Sequence, residues 1–422
     1  MIARIGIIGF GTVGEAVVRS LKKYSALIRR RTGLRIEIKS VCDSRPAARK
    51  TASSLSVPVT ARWEKVVEDP EIDTVVELIG GVEPARTLIL NSLLNGKKVV
   101  TANKALLAAH GRHLFGVAEE SGLPIGFEAA VCGAIPLIKS ISEGLVSCEV
   151  DRLYGILNGT TNYILDKMGT ERIQFTAALR EAQRKGLAEK VPVLDISGKD
   201  ALHKLCILSY LCFGTWPEHE KLVTEGIEDL SLLDILYAEE LSYKVKLLAI
   251  AKKEGKSLDL RVHPTLVPVD HPLAKVSAAY NAAYCFTRPA GELLFYGEGA
   301  GGTPTSSAII SDIVNVNVDQ RKAIRKEEKM KLRTVRDIQT RYYIRFMAVD
   351  RPGVLAAVSR ILSSYKISIA SVTQKEKQER SLVPIVMLTH EAREQAVRNA
   401  LREIGNLDVI KKTPQALRIE DV

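Results

Sequence analysis

Along the first third of the chain, short apolar runs alternate with stretches of helical periodicity. Arg4–Phe10 (RIGIIGF) is an isoleucine-rich run that reads as a buried strand, and EAVVRSLKKY shortly after it has helical spacing. RIEIKSVCDS (35–44) reads as a second strand, and TVVELIGG (74–81), KKVVTANKALLA (97–108) and LPIGFEAAVCGAIP (123–136) as further strand–helix units. Each apolar run ends in small, glycine-bearing or polar residues. Strands alternating with helices predict an open parallel sheet, whose crevice lies at the carboxyl ends of the strands.

Beyond residue 136 the pattern is mixed. EVDRLYGILN predicts a strand leading into the turn Asn158-Gly159-Thr160-Thr161. Helical patterns cover 174–185 and 233–253, and strand signals lie near 260–269 and 279–286. Residues 321–340 are charged, lack an apolar stripe and read as a helical or flexible linker. The tail then gives a strand from residue 342, an Asp-Arg-Pro-Gly turn, an amphipathic helix and another strand. SLVPIVMLTH, a helix at 392–404 and a last strand at LDVIKK complete a βαββαβ order.

One stretch concentrates charge at the mouth of an apolar segment. GLAEKVPVLDISGKDALHK (186–204) places Glu189, Asp195, Asp200 and Lys204 ahead of a helix that is apolar on nearly every side, which is the signature of a core element. Asp200 and Lys204, four apart, share a helix face. A lysine in a core needs a partner or a chemical use, because a lone buried charge is costly. The bland alternative is a capping box, Ser197-x-x-Asp200, with Lys204 snorkelling outward.

At the other end of the chain, Gly9-Phe10-Gly11-Thr12-Val13-Gly14 is G-x-G-x-x-G directly after a strand and opening a helix, the setting that makes the motif specific. Gly9 permits the tight turn, Gly11 lets backbone approach a pyrophosphate and Gly14 allows close helix–strand packing. Asp43 ends the second strand, where an acid would hold a ribose hydroxyl and favour NAD. Arg45, Arg49 and Lys50 follow it and would suit a 2′-phosphate, and Asp43 could equally be a turn residue. Lys104 sits just past another strand, in Thr101-Ala102-Asn103-Lys104, as a helix-start lysine with or without chemistry.

The 422 residues exceed one core, so two or three domains are expected. A formal charge of +11 raises nucleic acid as a partner, but no basic run is interleaved with aromatics, which make up only 5%. The excess suits anionic substrates and cofactors instead. Six scattered cysteines without a C-x-x-C pair indicate neither a zinc site nor a disulfide framework. The apolar part of the N-terminus is too short for a signal peptide and no apolar run reaches spanning length, so a cytoplasmic protein without a membrane partner is expected.

GFGTVG, VVTANKALLA, FEAAVCGAIP, LNGTTNYIL (157–165), DISGKDALHKL (195–205) and YGEGAGGTPTSSAIISDIV (296–314) stand in order and closely resemble the motifs of homoserine dehydrogenases over roughly residues 1–320. The tail, with Asp350-Arg351-Pro352-Gly353, resembles an ACT domain. The resemblance implies an α/β Rossmann dinucleotide-binding domain at 1–136, to which the chain returns at about 300–320. It implies an α+β substrate and dimerisation domain at 137–300, and after the linker a C-terminal βαββαβ ACT domain at 341–422. The expected activity is reversible NAD(P)H-dependent reduction of L-aspartate 4-semialdehyde to L-homoserine, in threonine, methionine and isoleucine biosynthesis, by a homodimer or higher oligomer.

Carried over position by position, the resemblance implies cofactor contacts at Gly9, Phe10, Gly11, Thr12, Val13, Gly14, Thr101, Lys104, Gly301 and Gly302. It implies substrate carboxylates at Glu189, Asp195 and Asp200, a proton donor at Lys204 assisted by Lys104, and a structural sodium ion at Glu128 with the backbone of Val131, Gly133 and Ile135. Asp350 and Gly353 match the effector turn of ACT domains, with threonine as the expected ligand; such domains also serve as simple dimer contacts. Two positions depart from the family pattern G-Y-x-E-x-D-P, where Leu187 and Val191 replace tyrosine and aspartate. Those losses keep alive a catalytically impaired amino-acid sensor on the same scaffold. A phosphorylating semialdehyde dehydrogenase would need a nucleophilic cysteine, and Cys132 alone lies in a plausible loop.

Overall fold

The computed structural model describes residues 1–318, 328–374 and 382–421. Strands β1 (Ile2–Ile8), β2 (Arg35–Cys42), β3 (Val59–Thr60), β4 (Thr74–Glu77), β5 (Lys98–Thr101) and β6 (Ile125–Gly126) form a parallel sheet in the order β3-β2-β1-β4-β5-β6. Ile5, Ile7, Val75, Val76, Val99 and Val100 are fully buried, as expected for strands covered on both faces. The strand order reverses between β1 and β4, and Ile8 pairs with both Cys42 and Glu77. The residues that follow these strands therefore emerge together at one edge, beside the glycine turn, where such sheets bind ligands. Later in the chain the helix Gly302–Val318 returns to this sheet, adding Ile309 and Ile313 to its core beside Val17 and Val18.

The remaining strands join a second, mainly antiparallel sheet. They are β7 (Glu149–Ile156), β8 (Val223–Thr224), β9 (Tyr243–Glu254), β10 (Ser257–Pro268), β11 (Tyr280–Arg288), β12 (Gly291–Glu298), β13 (Lys331–Leu332), β14 (Gln339–Val349), β15 (Ile369–Gln374), β16 (Leu382–Thr389), β17 (Ala392–Arg393) and β18 (Gln415–Ile419). Its main path runs β12-β11-β7-β9-β10-β18-β14-β16-β15, with β8 and β13 also paired to β10 and β17 to β14. The tail's strands thus continue the sheet of the middle region, and β18 is the joint. It pairs parallel to β10 on one side and antiparallel to β14 on the other. The Lys199–Phe213 helix packs against this sheet, with almost every residue from Asp200 to Phe213 buried.

Three sequence expectations change. The helix expected over 233–253 stops at Glu240, and Tyr243–Glu254 is strand β9. Lysine, leucine and alanine favour helix there, but β9 lies between β7 and β10 and Val245–Ala251 are buried, so packing overrides propensity. Ser242, at φ 64°, makes the break. The last strand is not LDVIKK, where only Ile410 bridges to Ala348, but Gln415–Ile419. Of the expected linker, 321–327 lies outside the described residues. The following residues are held: Glu328 donates its N–H to Gly214 O, and Lys331–Leu332 pairs with Ser257–Leu258.

Candidate active site

The glycine turn has the geometry that its spacing predicts. Gly9 sits at φ 104°, and a Cβ there would lie 2.5 Å from the Leu78 carbonyl carbon. A Cβ on Gly14 would lie 2.3 Å from Gly9 O, so helix and strand pack as closely as they do only because both positions are glycine. Gly11 is different. Its missing side chain leaves open space, with Arg45 Nη2 the nearest atom at 3.9 Å. The N-terminus of the Thr12–Thr32 helix points its unsatisfied N–H groups into this opening. A cleft of about 780 Å³ begins here, lined by Phe10, Gly11, Thr12, Arg19, Arg45 and Gly302. Gly302 opens its own helix within van der Waals reach of Thr12, and Gly301 precedes it at φ 123°. Val13 is partly buried in the core beneath.

Asp43 is engaged by protein donors. Its Oδ1 accepts from the Arg45 N–H at 2.8 Å and Nε at 3.0 Å, and its Oδ2 from Phe10 N and Arg45 Nη2, both at 2.8 Å. The Arg45 guanidinium, against the opposing effect of burial, holds the Asp43 carboxyl down at about 2. What remains exposed at the end of β2 is cationic. Thr101 is fully buried, and its hydroxyl donates to Glu77 Oε2 at 2.6 Å while accepting from Asn103 N. With no exposed surface, Thr101 links Glu77 to Asn103 behind the crevice.

Past the carboxyl end of β5, on the same edge of the sheet as the glycine turn, stands a buried cluster of charge. Asp200, one residue inside the Lys199–Phe213 helix, binds two lysines from different parts of the chain. Lys204 Nζ donates to its Oδ2 at 2.7 Å, and Lys104 Nζ lies 2.8 Å from its Oδ1. Lys204 also donates to Leu157 O at 2.5 Å, a carbonyl shared with Asn281 Nδ2 at 3.0 Å. Asn158 ties Asp200 Oδ2, at 2.9 Å, to Asp195 Oδ1, at 2.8 Å. Its own Oδ1 accepts from Thr161 N, capping the Gly159–Thr170 helix.

The bland reading of this stretch does not hold. The residue before the helix is Gly198 in the left-handed region, Ser197 makes no cap, and Lys204 is only 7% exposed. Lys104 is half-exposed at the start of the Lys104–Ser121 helix, which Asn103 caps through Leu106 N. Burial alone would raise the Asp200 carboxyl, but Lys204 and Lys104 outweigh it and hold it well below the usual carboxylate range. Burial likewise works against a charged Lys104, and Asp200 reverses the sign and raises it. Asp195, with burial as the main cause, is raised. Glu189 is exposed at the rim, among the exposed side chains of Leu187, Val191, Val193 and Leu194. Cys132 is buried, and burial pushes its thiol up to about 11, which is no setting for a thiolate nucleophile.

Glu128 is 5% exposed and accepts from Ile138 N at 2.9 Å and Lys139 N at 2.8 Å. Burial raises its carboxyl above the ordinary range, and Asp312, which accepts from Glu128 N, is raised further by the same cause. The Ile135 carbonyl accepts from Leu137 N, and Gly133 turns at φ 49° against Gly299. In the tail, Gly353 at φ 90° opens the Val354–Ser364 helix and Asp350 is exposed beside it.

Asn158, Asn281, Glu77 and the Leu157 carbonyl were not singled out from sequence. Asn158 stood in a quoted turn motif, and its cap of the next helix is a readable signal. Asn281 lies inside a strand and carries none.

A glycine cradle at a parallel-sheet switch point, facing a buried lysine–carboxylate cluster, defines a dinucleotide-dependent oxidoreductase. Three family models match: homoserine dehydrogenase, NAD binding domain, over residues 9–128; homoserine dehydrogenase over 136–314; and the ACT domain over 342–407. The chain is 39% identical to a homoserine dehydrogenase of Pseudomonas aeruginosa, covering 99% of each. The crystal structure of a homoserine dehydrogenase from Thiobacillus denitrificans superposes with a TM-score of 0.93 at 41% identity, covering 100% of this chain and 99% of that one. A hyperthermophilic archaeal homoserine dehydrogenase in complex with NADPH matches 75% of this chain and 98% of its own, at 29% identity and a TM-score of 0.64. The chain belongs to the homoserine dehydrogenase family, as an NAD(P)-dependent enzyme with a C-terminal ACT domain. Among the described residues no helix is long and apolar enough to cross a membrane.

Proposed function

We propose that Lys204 moves the proton that accompanies hydride transfer between L-homoserine and L-aspartate 4-semialdehyde. The observation that carries this reading is the single carboxylate, Asp200, that fixes Lys204 at 2.7 Å and Lys104 at 2.8 Å beside the glycine crevice. The bound nicotinamide supplies or accepts the hydride. Gly9 to Gly14 would cradle the pyrophosphate, and Gly301 and Gly302 would line the approach to the ring. Lys204, held by Asp200 and Leu157 O, gives its proton to the substrate oxygen in reduction and takes it back in oxidation. Asp195 and Glu189 accept hydrogen bonds from the substrate ammonium, and Lys104 orients the substrate at the mouth.

NADP is the proposed cofactor, because the donors on Asp43 already satisfy the acid that would read a ribose hydroxyl, while Arg45 remains exposed for a 2′-phosphate. The oxygen donors at Glu128, Val131, Gly133 and Ile135 suit a hard monovalent cation, and a sodium ion there would compensate the buried Glu128 carboxylate. Threonine is the proposed effector at Asp350 and Gly353. A homodimer is supported by Leu294 and Tyr296, which stand exposed on the edge strand β12. The test is homoserine oxidation with NADP and NAD in parallel, each with and without sodium and threonine. Expected are a higher kcat/KM with NADP, a thermal stabilisation by sodium and a rate lowered by threonine. A higher kcat/KM with NAD, no response to sodium or an unchanged rate with threonine would overturn the respective assignment.

A further inference from the structure

The joint strand β18 carries a charged clamp that reaches from the ACT unit to the turn bearing the active-site carboxylates. Arg418 of β18 is 4% exposed and binds two acids at once. It donates to Glu394 through Nε at 2.8 Å and Nη2 at 2.6 Å, and to Glu225 through Nη1 at 2.7 Å and Nη2 at 2.9 Å. Glu394 opens the helix Glu394–Gly405, is itself buried, and takes Tyr342 OH at 2.7 Å. Arg398 of that helix closes the square, to Glu394 at 2.7 Å and Glu225 at 3.0 Å. Bidentate arginine–carboxylate pairs fix direction as well as distance.

Glu225 is the only member of this square from the catalytic part of the chain, and its backbone is wedged under the active-site turn. Glu225 N donates to Val262 O at 2.8 Å, holding the segment to β10. Ile227 N donates to Ile196 O at 2.8 Å. Between them Gly226 packs so closely that a Cβ would stand 2.1 Å from Ile196 O and 2.6 Å from Ser197 Cα. A Cβ on Gly198 would lie 3.2 Å from Glu225 O. Asp195 precedes this Ile196-Ser197-Gly198 turn and Asp200 follows it, so any shift of residues 225–227 moves both carboxylates, and with Asp200 the anchor of Lys204.

We propose that Glu225, Arg418 and Glu394 are positioning residues for the dehydrogenase reaction, setting the 195–200 turn from the ACT side. The inference rests on Asp195, Asp200 and Lys204 being the substrate and proton machinery. Full-length enzyme carrying Glu225→Ala, Arg418→Met, both together, or the conservative Glu225→Gln is compared in homoserine oxidation. Glu225→Ala raises the homoserine KM or lowers kcat by about tenfold, leaves the cofactor KM unchanged, and Glu225→Gln restores most of the loss. The double variant is no worse in these constants than the more impaired single one, because both break one device.

Steady-state constants within about twofold of wild type in Glu225→Ala, with only a lower melting temperature, overturn the proposal. So does a parallel rise in both KM values, which marks general loosening. If Glu225→Ala does not fold, Arg418→Lys decides, because it keeps the charge but loses the bidentate geometry: a homoserine KM and kcat both equal to wild type overturn the proposal, and a selective homoserine effect supports it. An active Lys204→Met enzyme would instead refute the proton-donor reading, whatever the clamp variants do.

Discussion

Replacing Lys204 with methionine removes the ammonium and keeps the stem that fills the core. The structure gives the consequences for stability and for rate separately. Asp200 loses one donor, at 2.7 Å, but keeps Lys104 on Oδ1 at 2.8 Å and Asn158 on Oδ2 at 2.9 Å. Leu157 O keeps Asn281 at 3.0 Å. No buried charge is orphaned, so the penalty of about 3–5 kcal/mol for breaking a buried pair does not apply in full. A melting temperature within a few degrees of wild type is expected.

The rate has no such substitute. A positioned acid or base is worth about 10² to 10⁴ in rate. Lys104 cannot take over without leaving Asp200, and it begins a different helix, capped in place by Asn103. Homoserine oxidation followed by the absorbance of the reduced nicotinamide should show kcat lower by about that factor. Cofactor affinity, measured by direct titration, should be kept. A Lys204→Met enzyme that folds and retains kcat within about tenfold of wild type would refute the assignment.

Two further outcomes follow from packing and charge. Gly14→Ala places a methyl 2.3 Å from Gly9 O and forces the Thr12–Thr32 helix off the strand, so cofactor affinity should fall by at least about tenfold while thermal stability drops only moderately; equal cofactor affinity in a direct titration would show that the turn tolerates the shift. At the ACT junction, burial opposes the charge of Glu394 but Arg418 outweighs it and brings the carboxyl to about 2, below its ordinary 4.5. A carboxyl depressed on folding stabilises fully above its unfolded value and loses that contribution as pH falls toward its folded one. The melting temperature should therefore fall as the pH drops below about 4.5, and Glu394→Gln, less stable at neutral pH, should fall less steeply over the same range; identical acid slopes would refute the assignment.

Five strands of the parallel sheet were legible because they are strand-like runs ended by glycine or polar residues, and the glycine spacing carries its own geometry; the two-residue edge strand β3 (Val59–Thr60) was not, being too short to show a pattern. The burial of Lys204 and its pairing with Asp200 were legible for a different reason. A lysine four residues after an aspartate, inside a wholly apolar helix, has few ways to be satisfied. Its second acceptor was not legible, since Leu157 O comes from a strand end 47 residues earlier and a carbonyl has no sequence signature. Strand β9 failed because its lysines, leucines and alanines suit a helix, and only neighbours on both sides make it a strand. The joining of the tail's strands to those of the middle region through β18 was hidden in the same way. QALRI is five residues long, its partner β10 lies some 150 residues earlier, and the Arg418–Glu225 contact spans 193 positions.

The division of labour proposed for the two lysines follows from where their helices begin. Lys104 starts a helix on the dinucleotide-binding sheet and is half-exposed; Lys204 lies inside a helix packed on the other sheet and is almost sealed. Asp200 uses a different oxygen for each, so its carboxylate is the point at which the two halves of the crevice are tied together. A group that must hand over a proton at one fixed atom needs fixed partners, and Lys204 has two, a carboxylate oxygen and a carbonyl that is itself held by Asn281. Lys104 has one partner and open solvent beside it, which suits a cation that meets a substrate on entry. Exchanging the roles would ask the looser lysine for the tighter task. The same carboxylate explains why the ACT-side clamp bears on chemistry at all: whatever sets the 195–200 turn sets Asp200, and Asp200 sets both amines.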